Sequence, residues 1–105
     1  MAYKTDPKII SFVNKVKKKY KLERAIFFGS RVRGDHFLHS DYDLILVSAD
    51  FEGIFFTERM AKMYDFWTDP LVLEAFCYTP EEFEIKRKQI GMVATAVREG
   101  VEIEF

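Results

Sequence analysis

Asp43-Leu44-Ile45-Leu46-Val47 limits this chain's fold more than any other segment. Its unbroken apolar run reads as a strand over 43–47 that needs cover on both faces. Around it, helix and strand signals alternate. Asp6 before Pro7 reads as an N-cap with proline at the first helical position. Ile9, Phe12, Val13, Val16 and Tyr20 then recur at three- and four-residue steps, which predicts a helix over 7–20 with Lys15, Lys17, Lys18 and Lys19 outward. Arg24-Ala25-Ile26-Phe27-Phe28 reads as a buried strand that stops at Gly29. Residues 29–40 read as a turn, a short helix and a loop. Phe56, Met60 and Met63 predict a helix near 53–65, Thr68-Asp69-Pro70 a turn, and 71–78 a third strand.

Thr79-Pro80-Glu81-Glu82 has the form of a capping box, with Tyr78 and Phe83 placed as a hydrophobic staple. The helix that follows is expected to break near Gly91, to continue its inward face through Ile90, Ala94 and Val97, and to stop at Gly100. Val101 to Phe105 alternates like an edge strand. The fold class is α/β or α+β, a small mixed sheet with helices packed on one face. Strand order is left open by the sequence.

At 105 residues and 12.4 kDa the chain has the size of one domain. With 49% hydrophobic and 31% charged residues it is neither a disordered tail nor a fibrous repeat. No apolar run approaches the roughly 20 residues that cross a bilayer, and the first residues lack a signal peptide's apolar stretch. One cysteine, Cys77, excludes an internal disulfide framework and a Cys-rich zinc site, and reads as a small core residue. A cytoplasmic protein is expected. Net charge is −1, yet residues 1–24 hold eight Lys/Arg against Asp6 and Glu23. That basic segment reads first as a solvated helix face, and second as an attractor of phosphate-bearing substrate.

Chemistry concentrates in residues 29–43. A strand leading into Gly29-Ser30 and then a helix presents free backbone amides, a natural seat for phosphate. Ser30 adds a hydroxyl, and Arg31 and Arg33 add charge. Asp41 and Asp43, two apart at a strand opening, leave the same face, and their hard oxygens suit Mg²⁺ or Mn²⁺. Glu74, a charge amid Leu71-Val72-Leu73 and Ala75-Phe76-Cys77, is costly unless paired. Beside the Asp43 strand it completes a three-carboxylate cluster able to hold two metals. On an edge it is a solvated charge that guards against aggregation.

Gly29-Ser30, ten residues, then Asp41-x-Asp43 resembles the signature of the nucleotidyltransferase superfamily related to DNA polymerase beta. Gly29-Ser30-Arg31-Val32-Arg33-Gly34 followed by Ser40-Asp41-Tyr42-Asp43-Leu44 is similar to the minimal nucleotidyltransferases of bacteria and archaea, with Val32 where they carry alanine. Tyr78-Thr79-Pro80-Glu81-Glu82-Phe83 also resembles the stretch after that family's third acidic strand.

The resemblance covers nearly the whole chain and implies one minimal nucleotidyltransferase domain over 1–105. It implies nucleotide binding by Gly29, Ser30 and Arg33, metal ligation by Asp41, Asp43 and Glu74, and Mg²⁺ or Mn²⁺ with ATP as substrate. It further implies transfer of AMP to a hydroxyl acceptor and pairing with a HEPN-type partner protein as the antitoxin of a toxin–antitoxin system. Glu74 stands where the family usually has aspartate. The extra methylene moves the carboxylate by about one bond length, and a shift of about 1 Å can cost on the order of a hundredfold in rate.

Other readings stand beside these. A module that neutralises a partner by contact alone keeps the fold and loses the chemistry. A nucleic-acid-binding domain built on the N-terminal lysines lacks an aromatic stacking platform and is not favoured. Arg31 and Arg33 have a plainer reading as surface partners of Asp35, and His36 and His39 as surface residues rather than metal ligands. Phe51, Phe55 and Phe56 read either as core, above all Phe56, or as a face for a partner or a second copy.

Overall fold

The structure, a computed structural model, describes residues 6–34 and 41–105. Asp6 caps the first helix, α1 (Pro7–Lys17), by accepting the Lys8 amide at 2.9 Å. The same carboxylate accepts the Tyr42 hydroxyl at 2.9 Å, which ties the helix start to a central strand. α1 buries Ile9, Phe12, Val13 and Val16, as their spacing predicts. It ends three residues before Tyr20, whose ring still reaches Phe51 and Phe66 at 5.4 and 6.2 Å.

The strands are β1 (Arg24–Phe28), β2 (Tyr42–Val47), β3 (Leu73–Tyr78) and β4 (Val101–Glu102). They form one sheet in the order β3-β2-β1-β4. β2 runs parallel to β3, and β1 runs antiparallel to both β2 and β4. The remaining helices are α2 (Ser30–Arg33), α3 (Phe56–Met63), α4 (Pro80–Arg87) and α5 (Met92–Glu99). The mixed sheet and alternating order match the expected class.

Cover on the sheet is more even than one helical face. Phe27, Tyr42, Leu44, Leu46, Ala75 and Cys77 point to the side packed by α1, Phe51, Met63 and Trp67. Ile26, Ile45, Val47 and Tyr78 point to the other, where Phe83 of α4 and Val93 and Ala96 of α5 cover them. The second face is apolar at this end and needs its own lid, so α4 and α5 cross it. Asp43 and Glu74, toward its other end, remain half-buried.

Three inward assignments change. Val93 and Ala96 face the core, whereas Ile90 and Val97 are exposed, because a separate helix starts after Gly91 and the phase of α4 is not carried through. Phe51 is fully buried, while Phe56 is 37% exposed and only leans on the Tyr78 ring at 5.3 Å. The residue that α3 buries beside Met63 is Arg59.

Arg59 donates from Nε to the Ile54 carbonyl at 2.8 Å and from Nη1 to the Cys77 carbonyl at 3.1 Å. Its guanidinium also grips Glu82 at 2.6 and 3.3 Å. Glu82 closes the expected capping box as well, accepting the Thr79 amide at 2.9 Å. Glu82→Ala therefore leaves a buried cation facing two carbonyls, and we expect a loss of about 3 kcal/mol in urea unfolding. Glu84→Ala, whose partners Arg87 and Lys88 are exposed, leaves the unfolding midpoint close to that of wild type in the same assay.

Candidate active site

β1 runs directly into Gly29, which adopts φ +91° and opens α2. The Gly29 carbonyl accepts the Val32 and Arg33 amides at 3.1 Å each, and the Gly34 amide closes on the Ser30 carbonyl at 2.9 Å. The amides of Ser30 and Arg31 precede these bonds and lead the turn, with the Ser30 hydroxyl beside them. A side chain at 29 is excluded twice. The positive φ disfavours one, and a Cβ would sit 2.4 Å from Asp43 Oδ2. The glycine thus lets the turn lie flat against the carboxylate.

Asp43 sits in a row across three strands. Its neighbour on β1 is Phe28 and its neighbour on β3 is Glu74. Partners in register share a face, so the two carboxylates meet within hydrogen-bonding reach. Burial beside the apolar sheet pushes the Asp43 carboxyl from its ordinary 3.8 up to about 7, helped by the hydrogen bond and charge of Glu74 and the charge of Asp41. Arg33 opposes the shift, so its guanidinium is felt at the site although its side chain is exposed. Asp41 lies one residue before β2 and is exposed.

Asp43 and Glu74 are thus brought together as the sequence allowed, with Asp41 near enough to act through its charge. Among the described residues no three acidic, histidine or cysteine side chains stand ready-made around one point. Asp43 and Glu74 pair across β2 and β3, whereas Asp41 is exposed one residue before β2. The donor set fits a hard divalent cation, since Asp43 and Glu74 offer paired carboxylate oxygens with the charge of Asp41 close by.

Arg31 takes a different role from Arg33. Its guanidinium lies 4.1 Å from the centre of the Tyr42 ring, and the Tyr42 hydroxyl reaches Asp6. This stack fastens the Gly-Ser turn to β2 from the side of the sheet opposite Asp43. Sequence reasoning missed it. The available signal was Tyr42, which alternation sends to the face opposite the two aspartates. Asp35, His36, His39 and Ser40 lie outside the described residues. Cys77 is buried, and desolvation pushes its thiol up to about 12, in keeping with a core role. No helix among the described residues is long and apolar enough to cross a membrane.

Comparison with known proteins bears on the same segments. The chain superposes on a crystal structure from Sulfolobus solfataricus, provisionally assigned as a nucleotidyltransferase, with a TM-score of 0.60. The two share 21% identity over 97% of this chain and 90% of the other, a likeness of fold. A search of curated proteins gives no match. The family model described as "Nucleotidyltransferase domain" matches residues 9–97, a span that holds the Gly29 turn, both aspartates and Glu74. With that match over most of its length, the chain belongs to the nucleotidyltransferase domain family.

Proposed function

We propose that the chain transfers AMP from ATP to a hydroxyl on a partner protein, with Mg²⁺ or Mn²⁺ held by Asp41, Asp43 and Glu74. The observation that carries this reading is the placement of Asp43 against Glu74 directly beneath the Gly29 turn. It sets a carboxylate pair beside a backbone suited to phosphate. The bound cation would draw charge from the α-phosphate and pyrophosphate oxygens. The Ser30 and Arg31 amides and the Ser30 hydroxyl face the phosphates, and Arg33 offsets charge that gathers on the leaving group. Glu74 holds the acceptor hydroxyl and takes its proton. The acceptor oxygen then bonds to the α-phosphorus, and the bond to the pyrophosphate oxygen breaks.

The longer reach of Glu74 suits this arrangement, since the side chain extends to Asp43 from the neighbouring strand. The acceptor fits a partner protein in a cytoplasmic pairing of the HEPN-type toxin–antitoxin kind, with this chain as antitoxin. Magnesium-dependent pyrophosphate release from ATP in the presence of that partner is the test. Activity is expected to vanish with chelator and to fall about a hundredfold in Glu74→Gln. Neutralisation of the partner with no pyrophosphate released would instead favour a module that acts by contact.

A further inference from the structure

A groove runs between α3, the end of β3 and α4, on the same face of the sheet as Asp43 but at its far end. It is formed by two adjoining depressions of about 510 and 160 Å³ that share Tyr78 and Lys86. Phe55, Phe56 and Tyr78 line the larger one, and Ile90 and Met92 the smaller. Phe55 is 83% exposed and Ile90 wholly so, which is costly for side chains of this size unless something covers them.

Charge says what covers it. Arg59 and Glu82, which also line the larger depression, neutralise one another at 2.6 Å. Lys86, on the wall common to both depressions, makes no ion pair with any described residue, so the groove carries one uncompensated positive charge at its middle. An isologous pairing of two copies across this wall would bring Lys86 against Lys86, which disfavours it. We infer that the groove is a docking site for a segment of another protein, in which a large apolar side chain adjoins a carboxylate that pairs with Lys86. The apolar residue covers Phe55 and Phe56 beside Tyr78, and the carboxylate fixes its register. The site stands apart from the transfer chemistry and does not depend on it.

Selection of a random linear peptide display library on the full chain tests this. Enriched peptides are expected to carry Phe, Trp, Leu or Ile within four positions of Asp or Glu. The selected peptide should bind wild type and Asp43→Asn equally, which separates docking from catalysis. Phe55→Asp, at an exposed position that keeps its melting temperature, should weaken binding at least tenfold. Selection on Lys86→Glu should enrich Lys or Arg in place of the acid. Three results would overturn the proposal: enrichment with no acidic preference, no enrichment beyond that on Phe55→Asp, or concentration-dependent dimers of the wild type that Phe55→Asp abolishes.

Discussion

Asp43→Asn is expected to lower transfer from ATP by on the order of a thousandfold or more and, at the same time, to stabilise the metal-free protein above neutral pH. The two effects share one cause. Burial and Glu74 raise the Asp43 carboxyl to about 7 from 3.8, so the folded state holds a proton that the unfolded chain releases near pH 4. Wild-type stability is therefore greatest below pH 4 as far as this group is concerned. It declines as pH rises through about 7 and levels off above it. Asparagine keeps the hydrogen bond to Glu74 and never ionises. The variant's melting temperature should thus exceed wild type's by a margin that opens between pH 4 and pH 7 and is full at pH 8. If the carboxylates hold a cation as proposed, Mg²⁺ should reverse the order by raising the melting temperature of wild type alone. A site that binds no cation would show the pH effect and no magnesium effect.

Gly29→Ala is the second substitution with a large expected effect, and Gly34→Ala is its control. Both glycines have positive φ, +91° and +84°, but Gly34 lies in the left-handed helical region (ψ 7°), where alanine costs about 1 kcal/mol, whereas Gly29 (ψ −162°) lies in a region essentially reserved for glycine, where alanine costs more. They differ also in what the new methyl meets. At 34 nothing lies within 4 Å, whereas at 29 the methyl lands 2.4 Å from Asp43 Oδ2. The turn must lift away from β2 or the carboxylate must rotate off Glu74. Either displacement is of order 1 Å, which predicts about a hundredfold loss in kcat/KM on top of the strain. Steady-state kinetics of the two variants, with urea unfolding to correct for folding, measure the difference. Equal activity in both would show that the Gly29 turn has no part in positioning the phosphates.

These expectations rest on features of unequal visibility in the sequence. Gly29-Ser30 and Asp41-x-Asp43 were legible because each follows or opens a short apolar run, and strands end where such runs end. The capping box at Thr79 and Glu82 was equally plain, being a local exchange of hydrogen bonds within four residues. The meeting of Asp43 with Glu74 was legible only as a condition. It needs β3 beside β2 in one register, and a strand's neighbours depend on contacts far apart in the chain. Arg59 was hidden for a related reason. Its position falls on the inward stripe between Phe56 and Met63, but a buried arginine is tolerable only because Glu82 and two carbonyls come from other segments. The inward face of α5 differs from the expected one because the phase of α4 does not carry across the break at Gly91.

In the proposed reaction the carboxylates beneath the Gly29 turn direct attack at the α-phosphate of ATP. Label transfer to protein from α-³²P-ATP and from γ-³²P-ATP, run in parallel with Mg²⁺ for wild type and Asp43→Asn, tests it most directly. Label is expected on an acceptor from the α position only, and only with wild type. Transfer from the γ position, or undiminished α transfer by Asp43→Asn, would contradict it.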